Sequence, residues 1–216
     1  MSSRAFADRA ALAIGRQLAN PSGSGGFLLA VMMRVFNRRP TRALIEALDI
    51  RPGHHVLDIG CGDGMALSAV PRATWRYGVD QSETMLSIAW RRLNRDLKSG
   101  RVRLRHGDML ALPFGANAFD RILACNVLYF CSDIPALVEE CRRVARPEAN
   151  LGIYVTSARS MAKWPFAGPR THRHFSREQL EAELEAAGVK QGEREIRQLA
   201  LPGGMEGLIA LVRLAN

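Results

Sequence analysis

The chain is poor in lysine, and that shortage qualifies its most conspicuous property. Lys98, Lys163 and Lys190 are the only three, against 27 arginines, yet the formal net charge is +9. A strongly basic chain invites a nucleic-acid reading. An arginine-for-lysine bias alongside abundant alanine reads more simply as coding composition. Paired cysteines are missing as well: Cys61, Cys125, Cys131 and Cys141 form no C-x-x-C pair. That argues against a zinc ribbon and a secreted disulfide framework, and points to a reducing, cytoplasmic setting. Long apolar runs are also lacking. Phe27 to Phe36 is broken by Arg34 and is half the ~20 residues a spanning helix needs. Ser2, Ser3, Arg4 and Arg9 resemble a transit peptide only faintly. Asp8 lies among them and no cleavage signal follows, so the segment reads as an ordinary N-terminal helix. No internal repeat or low-complexity block occurs.

What is present suits one α/β domain. The 216 residues are 47% hydrophobic and 24% charged, ordinary values for a globular protein with a sizeable core. Asn20 to Gly26 is a Gly/Ser-rich linker between a short N-terminal helix and a second helix from about Phe27 to Leu48. Residues 1–48 are therefore expected to form N-terminal lid helices, and 49–216 the main domain. Strands then alternate with helices. Strands are expected at His55–Ile59, Trp75–Val79, Arg101–Arg105, Phe119–Cys125 and Leu151–Thr156. Helices are expected from Ser82 to about Leu97, from Asp133 to before Pro147, and from Ser176 to Gly188. On the first of these, Leu86, Ala89, Trp90 and Leu93 are read as one buried stripe. Two apolar segments around Pro202-Gly203-Gly204 leave no room for a crossover helix and read as an antiparallel hairpin. The pattern implies a mostly parallel sheet covered on both faces.

Val56-Leu57-Asp58-Ile59-Gly60-Cys61-Gly62-Asp63-Gly64 is the most informative stretch. Apolar residues run into glycines at the carboxyl end of a strand, where ligands of open α/β sheets bind. The dinucleotide fingerprint wants a third small residue three positions after the second glycine; here that residue is Met65. Asp58 also brings a carboxylate to a turn that would otherwise welcome pyrophosphate. An anion-repelling group suits a cationic ligand such as S-adenosyl-L-methionine, which carries a sulfonium and an ammonium and no phosphate. Asp80 ends the second strand and can accept from ribose hydroxyls. Asp108 follows the third strand and can accept from an adenine amino group, with the Met109 amide donating to the ring.

The series V-L-D-I-G-C-G-D-G, G-V-D-Q-S-E-T-M-L, H-G-D-M-L-A-L-P-F and F-D-R-I-L-A-C-N-V-L-Y-F resembles the class I S-adenosylmethionine-dependent methyltransferases. The nearest branch is the small-molecule group that includes quinone and sterol methyltransferases. The resemblance covers roughly residues 45 to 157 and implies a Rossmann-like, seven-stranded sheet of order 3-2-1-4-5-7-6, strand seven antiparallel, with helices on both faces. It implies that Gly60, Cys61 and Gly62 wrap the methionine part, with Asp58 and Asp63 near its ammonium or the turn. It further implies Asp80 and Gln81 at the ribose, Asp108 and Met109 at adenine, and Asn126 facing the sulfonium. The family's Pro-Gly-Gly turn before strand five is here Pro147-Glu148-Ala149-Asn150, away from the ligand face.

Methyl transfer from a sulfonium needs alignment and water exclusion above all. Asn126-Val127-Leu128-Tyr129 has the spacing of the N-P-P-Y box of amino-methylating nucleic-acid enzymes but neither proline, and no cysteine follows a proline. The Arg91–Arg105 run lacks interleaved aromatics for stacking; on an edge strand its arginines would block edge pairing. His172 and His174, after strand five, are candidates for a substrate-facing base or donor, His174 slightly favoured, with Tyr129 a third catalytic candidate. No acidic or cysteine partner lies near the two histidines, so no metal is expected. The acceptor pocket is expected from Phe27–Asn37, Tyr129, Trp164, Phe166, His172, His174 and Met205.

The reading is methyl transfer to a small-molecule acceptor, giving S-adenosylhomocysteine. Its rivals are an RNA or phospholipid acceptor, motivated by the charge and by Phe27–Phe36, and a non-catalytic cofactor-binding protein of the same fold. Nucleic acid is not the expected partner; the Phe27–Phe36 segment allows peripheral membrane contact. If the basic charge is compositional, RNA binds weakly and is released near physiological salt in a filter-binding titration. Submicromolar affinity persisting at ~200 mM salt would overturn that.

Overall fold

The computed structural model describes residues 9–15, 36–168 and 171–214. Its centre is a seven-stranded sheet of order β3-β2-β1-β4-β5-β7-β6. The strands are β1 (His55–Ile59), β2 (Trp75–Asp80), β3 (Val102–His106), β4 (Phe119–Cys125), β5 (Ala145–Thr156), β6 (Arg194–Leu201) and β7 (Met205–Arg213). The pairs among β1 to β5 are parallel, whereas β7 runs antiparallel to both β5 and β6. The hairpin turn is Pro202–Gly204. The expected sheet order and closing hairpin are both present.

Helices α1 (residues 9–15) and α2 (residues 36–47) precede the sheet. They are followed by α3 (Met65–Ala69), α4 (Glu83–Arg92), α5 (Asn94–Lys98), α6 (Ile134–Val144), α7 (Ala158–Met161) and α8 (Arg177–Ala186). Their starts follow local chemistry. Ser82 accepts from the Met85 amide and Asp133 from the Ala136 amide, each satisfying a donor that a helix N-terminus leaves orphaned. Ser176 and Gln179 form a reciprocal capping box.

Three expectations need correction. The helix expected to run unbroken to Leu97 is two, α4 and α5, separated at Leu93, whose φ of −96° and ψ of 12° leave helical geometry. Trp90 is 54% exposed. Met85 is buried with Leu86, Ala89 and Leu93. At 100° per residue this moves the centre of the apolar face away from Trp90. Strand β5 begins at Ala145 and carries a register irregularity against β4 between Phe119 and Arg121. The Pro147-Glu148 turn, with Glu148 at φ 64°, lies within it.

The N-terminal segment meets the sheet at two places. Leu44 and Leu48 of the α2 region pack in one core cluster with Val56, Leu123, Tyr154 and Ile209. Arg121 Nε donates to the Leu48 carbonyl at 2.8 Å. Helix α1 closes against the loop after α7: a Cβ on Gly15 would lie 2.6 Å from the Phe166 carbonyl oxygen and 2.7 Å from Thr171 Oγ1. Only a residue without a side chain allows that approach. The expected residues 16–35, including Phe27 to Val35, lie outside the described residues. Gly15→Val should detach α1 from this loop. Hydrogen exchange of amides 9–15 should then accelerate at least tenfold while the sheet amides stay protected; unchanged exchange in α1 would contradict the contact.

Candidate active site

The parallel strands deliver the site to one edge of the sheet. Strands β1, β2, β4 and β5 end at Ile59, Asp80, Cys125 and Thr156, and the segments leaving them line a cavity of ≈ 230 Å³. Asp58, Gly60, Cys61, Gly62 and Asp63 contribute from β1 and its turn. Asp80, Gln81 and Met109 contribute from β2 and the loop after β3, and Asn126 from the end of β4. Tyr129, Trp164, Phe166 and His172 form the remaining wall with Asn37 and Thr41 of α2.

The glycine turn has a conformational reason. Gly60 has φ 65°, and a Cβ there would sit 2.6 Å from Val127 Cγ2. Gly62, at φ 53°, turns its amide to Asp80 Oδ2 at 2.8 Å. The other Asp80 oxygen accepts from the Ser82 amide at 2.8 Å. Both carboxylate oxygens are thus fixed by backbone donors, and each keeps a further lone pair for a ligand.

Electrostatics separate the three acids. Asp58 is 2% exposed, and its carboxylate accepts no hydrogen bond from the described residues. Burial raises its pKa well above the usual carboxylate value, and the charges of Asp80 and Asp63 push it further. Burial also raises Asp80, opposed by its two backbone donors and by His106. Asp63 is engaged differently: it accepts from the Met65 amide at 3.1 Å and pairs with Arg92 at 2.6 Å. It therefore organises the turn and the start of α3. No lysine or arginine lines the cavity among the described residues, so a net-basic protein presents an acidic pocket.

A polar relay crosses the cavity floor. The Thr156 amide donates to Tyr129 Oη, which donates to Asn126 Oδ1 at 2.8 Å. Asn126 Nδ2 donates to Asn37 Oδ1 at 3.0 Å. Asn126 is held in the left-handed region at φ 58°, with its amide on the Tyr154 carbonyl. The Tyr129 hydroxyl is committed both as donor and as acceptor, and burial drives its pKa far up. It therefore orients Asn126 and is no proton acceptor.

The structure brings together most of the sequence-predicted residues, Asp108, His174 and Met205 being exceptions. Asp108 is exposed, accepts from the Leu110 amide at 2.9 Å and is absent from the cavity lining, although Gly107 and Met109 on either side belong to it. His174 is also absent from the lining; its Nε2 donates to the Ala167 carbonyl. His172, ranked second in the sequence, is the histidine in the wall. Met205 lies at the hairpin outside the cavity lining. Sequence reasoning missed Thr41, Thr156 and Met161. Thr156 carried a signal, since it ends β5 as Asp80 ends β2. Among the described residues no group of three or more His, Cys, Asp or Glu could hold a metal ion, and no helix is long and apolar enough to cross a membrane.

Comparison with known proteins agrees with this geometry. A family model described as a methyltransferase domain matches residues 57–153. Methyltransferase GfsG of Streptomyces halstedii is 34% identical over 53% of this chain and 42% of its own length. Demethylmenaquinone methyltransferase of Symbiobacterium thermophilum is 31% identical over 49% of this chain and 44% of its own. The chain thus spans less than half the length of these relatives. Among solved structures, an S-adenosylmethionine-dependent methyltransferase from Aquifex aeolicus superposes with a TM-score of 0.62 at 23% identity, covering 80% of this chain and 89% of that one. At that identity the likeness speaks to the fold alone. The matched segment runs from the first strand into the fifth of a sheet already traced in this order, so this part of the chain is similar to a methyltransferase domain in sequence as well as in fold.

Proposed function

We propose that the protein transfers a methyl group from S-adenosylmethionine to a small-molecule acceptor, releasing S-adenosylhomocysteine. The observation that carries this reading is the cavity at the strand ends, lined by acids and, among the described residues, by no lysine or arginine. The donor set fits the cofactor. Asp58 is a buried carboxylate without a cationic or hydrogen-bonding partner among the described residues, suited to an ammonium or sulfonium. Asp80 keeps two lone pairs for ribose hydroxyls. Gly60, Cys61 and Gly62 leave room for close approach by the methionine part, and Met109, with Gln81 nearer the ribose, borders the adenine side. Asp108 then acts from the rim, shaping its loop through Leu110.

The cofactor supplies an activated methyl group on a sulfonium. The chain's task is to align the acceptor and exclude water. Asn126, fixed by the Tyr129 relay, borders both halves of the cavity and orients what lies between them. The N-terminal segment 1–48 acts as a lid over this opening, a reading supported by the Gly15 approach to Thr171 and by Asn37 and Thr41 in the wall. A cytoplasmic location belongs to the same reading and is supported by four unpaired cysteines. The alternative is a non-catalytic S-adenosylmethionine-binding protein of the same fold. Formation of S-adenosylhomocysteine with an acceptor panel separates the two.

Asp80→Ala removes acceptors of charge-assisted hydrogen bonds worth about 1.5–3 kcal/mol each. Calorimetry should read a tenfold to several-hundredfold weaker cofactor affinity; unchanged affinity would refute the role. Asp58→Asn makes a double prediction. Because the folded Asp58 pKa is raised, its ionised form opposes folding once the pH exceeds the ordinary value of 3.8. The variant should therefore melt higher than wild type at pH 7, with the difference vanishing below that value, while its cofactor affinity falls. For the wild type, cofactor affinity should drop as the pH is lowered and Asp58 takes up its proton. A variant less stable at pH 7, or one with full affinity, would contradict this account.

A further inference from the structure

The wall opposite the acids is aromatic and holds a histidine in a defined protonation pattern. His172 is 5% exposed, with its ring 4.9 Å from Phe130 and 5.9 Å from Tyr129. Trp164 and Phe166 stack beside it at 5.6 Å and 22°, and Phe36 meets Trp164 edge-on. The Nδ1 atom of His172 is 2.9 Å from Thr171 Oγ1. The same hydroxyl lies 3.1 Å from the Gly168 carbonyl and 3.2 Å from the Phe166 carbonyl. We assign the single Thr171 proton to these carbonyls, which only accept, so that toward the imidazole Oγ1 accepts. That assignment places the imidazole proton on Nδ1 and leaves Nε2 as an acceptor with no hydrogen-bond partner among the described residues.

We propose that the acceptor is a flat aromatic compound bearing an uncharged hydroxyl, whose proton passes to His172 Nε2 while Thr171 holds the imidazole in the accepting tautomer. The inference rests on the methyl-transfer reading and names its acceptor class. Stacked and tilted rings favour a planar partner. Among the described residues no lysine or arginine lines the cavity to hold a phenolate, and an oxygen that arrives protonated needs a base. An amine arriving as ammonium would need a carboxylate, and the acids stand at β1 and β2, across the cavity from His172. In the transfer, the acceptor oxygen bonds to the methyl carbon as the carbon–sulfur bond breaks with its electron pair on sulfur. The O–H electrons stay on oxygen as the proton moves to Nε2, and the imidazolium then returns it to solvent.

The groups facing His172 are compatible with a neutral ring. Tyr129 and Phe130 face it from the turn after β4, Thr171 and His174 from its own loop, and the backbone at Gly15 abuts Thr171 from α1. Burial, with a smaller contribution from the charge of His174, lowers the His172 pKa to about 4. The base is therefore unprotonated through the neutral range.

Nitrogen-15 histidine spectra of the whole chain without cofactor test this directly. The expected result is His172 in the Nδ1–H tautomer, titrating near about 4. Phenol should move its Nε2 resonance, and anisole, which lacks the hydroxyl, should not. An Nε2–H tautomer, or a resonance unmoved by phenol at tens of millimolar, would overturn the proposal. Thr171→Val should shift the tautomer balance and lower kcat more than it changes KM, and Thr171→Ser should restore both. His172→Ala should bind S-adenosylhomocysteine as wild type does while losing about 10²–10⁴-fold in transfer to aromatic hydroxyls. A wild type that binds no cofactor defeats the methyl-transfer reading itself. A wild type that methylates amines or carbon in preference, or a His172→Ala variant with full turnover, defeats this inference alone.

Discussion

Asp58 is a carboxylate sealed at the end of a central strand, with two further carboxylates close enough to oppose its ionisation. Moving an isolated charge out of water is costly, and like charges nearby add to the cost. Much of the surrounding architecture distributes this burden. Backbone amides of Gly62 and Ser82 hold Asp80, and Arg92 neutralises Asp63 from α4. Asp58 is the acid left for an external cation. The fold carries a destabilising group at its centre, and in the proposed function a positively charged ligand would relieve it. This is the usual trade between stability and function at a binding site.

The second half of the site is joined to the first by hydrogen bonds rather than by charge. The chain from Thr156 through Tyr129 and Asn126 to Asn37 links β5, the turn after β4 and α2. A buried relay of this kind fixes one arrangement, since breaking any member leaves polar atoms unpaired. It also ties the N-terminal helix region to the cavity floor, so that α2 belongs to the site as well as to the sheet's core.

Much of the fold was legible because its signals are local. Apolar runs ending in Gly60, Asp80 and Asn126 mark parallel strands, Ser82, Asp133 and Ser176 mark helix starts, and Pro202-Gly203-Gly204 marks the hairpin. Trp90 was misread because the burial of Met85 is decided by how α4 rotates against β3, a tertiary choice that periodicity at one turn does not fix. The acid-lined side of the cavity was legible for the same local reason: the strand ends carry it. The aromatic side was only partly legible. His172 and His174 are two residues apart, and which one faces the cavity depends on the Ala167 carbonyl capturing His174 and the Thr171 hydroxyl holding His172. Asp108 shows the limit of the strand-end rule, for its side chain turns back onto its own loop.

The central claim is that the buried acids select a cation and reject phosphate. Titration calorimetry with S-adenosylmethionine and with NAD, run side by side on the wild-type chain, tests it most directly. The account predicts saturable binding of S-adenosylmethionine and no detectable heat of binding with NAD. Binding of NAD, or failure of S-adenosylmethionine to bind, would contradict it.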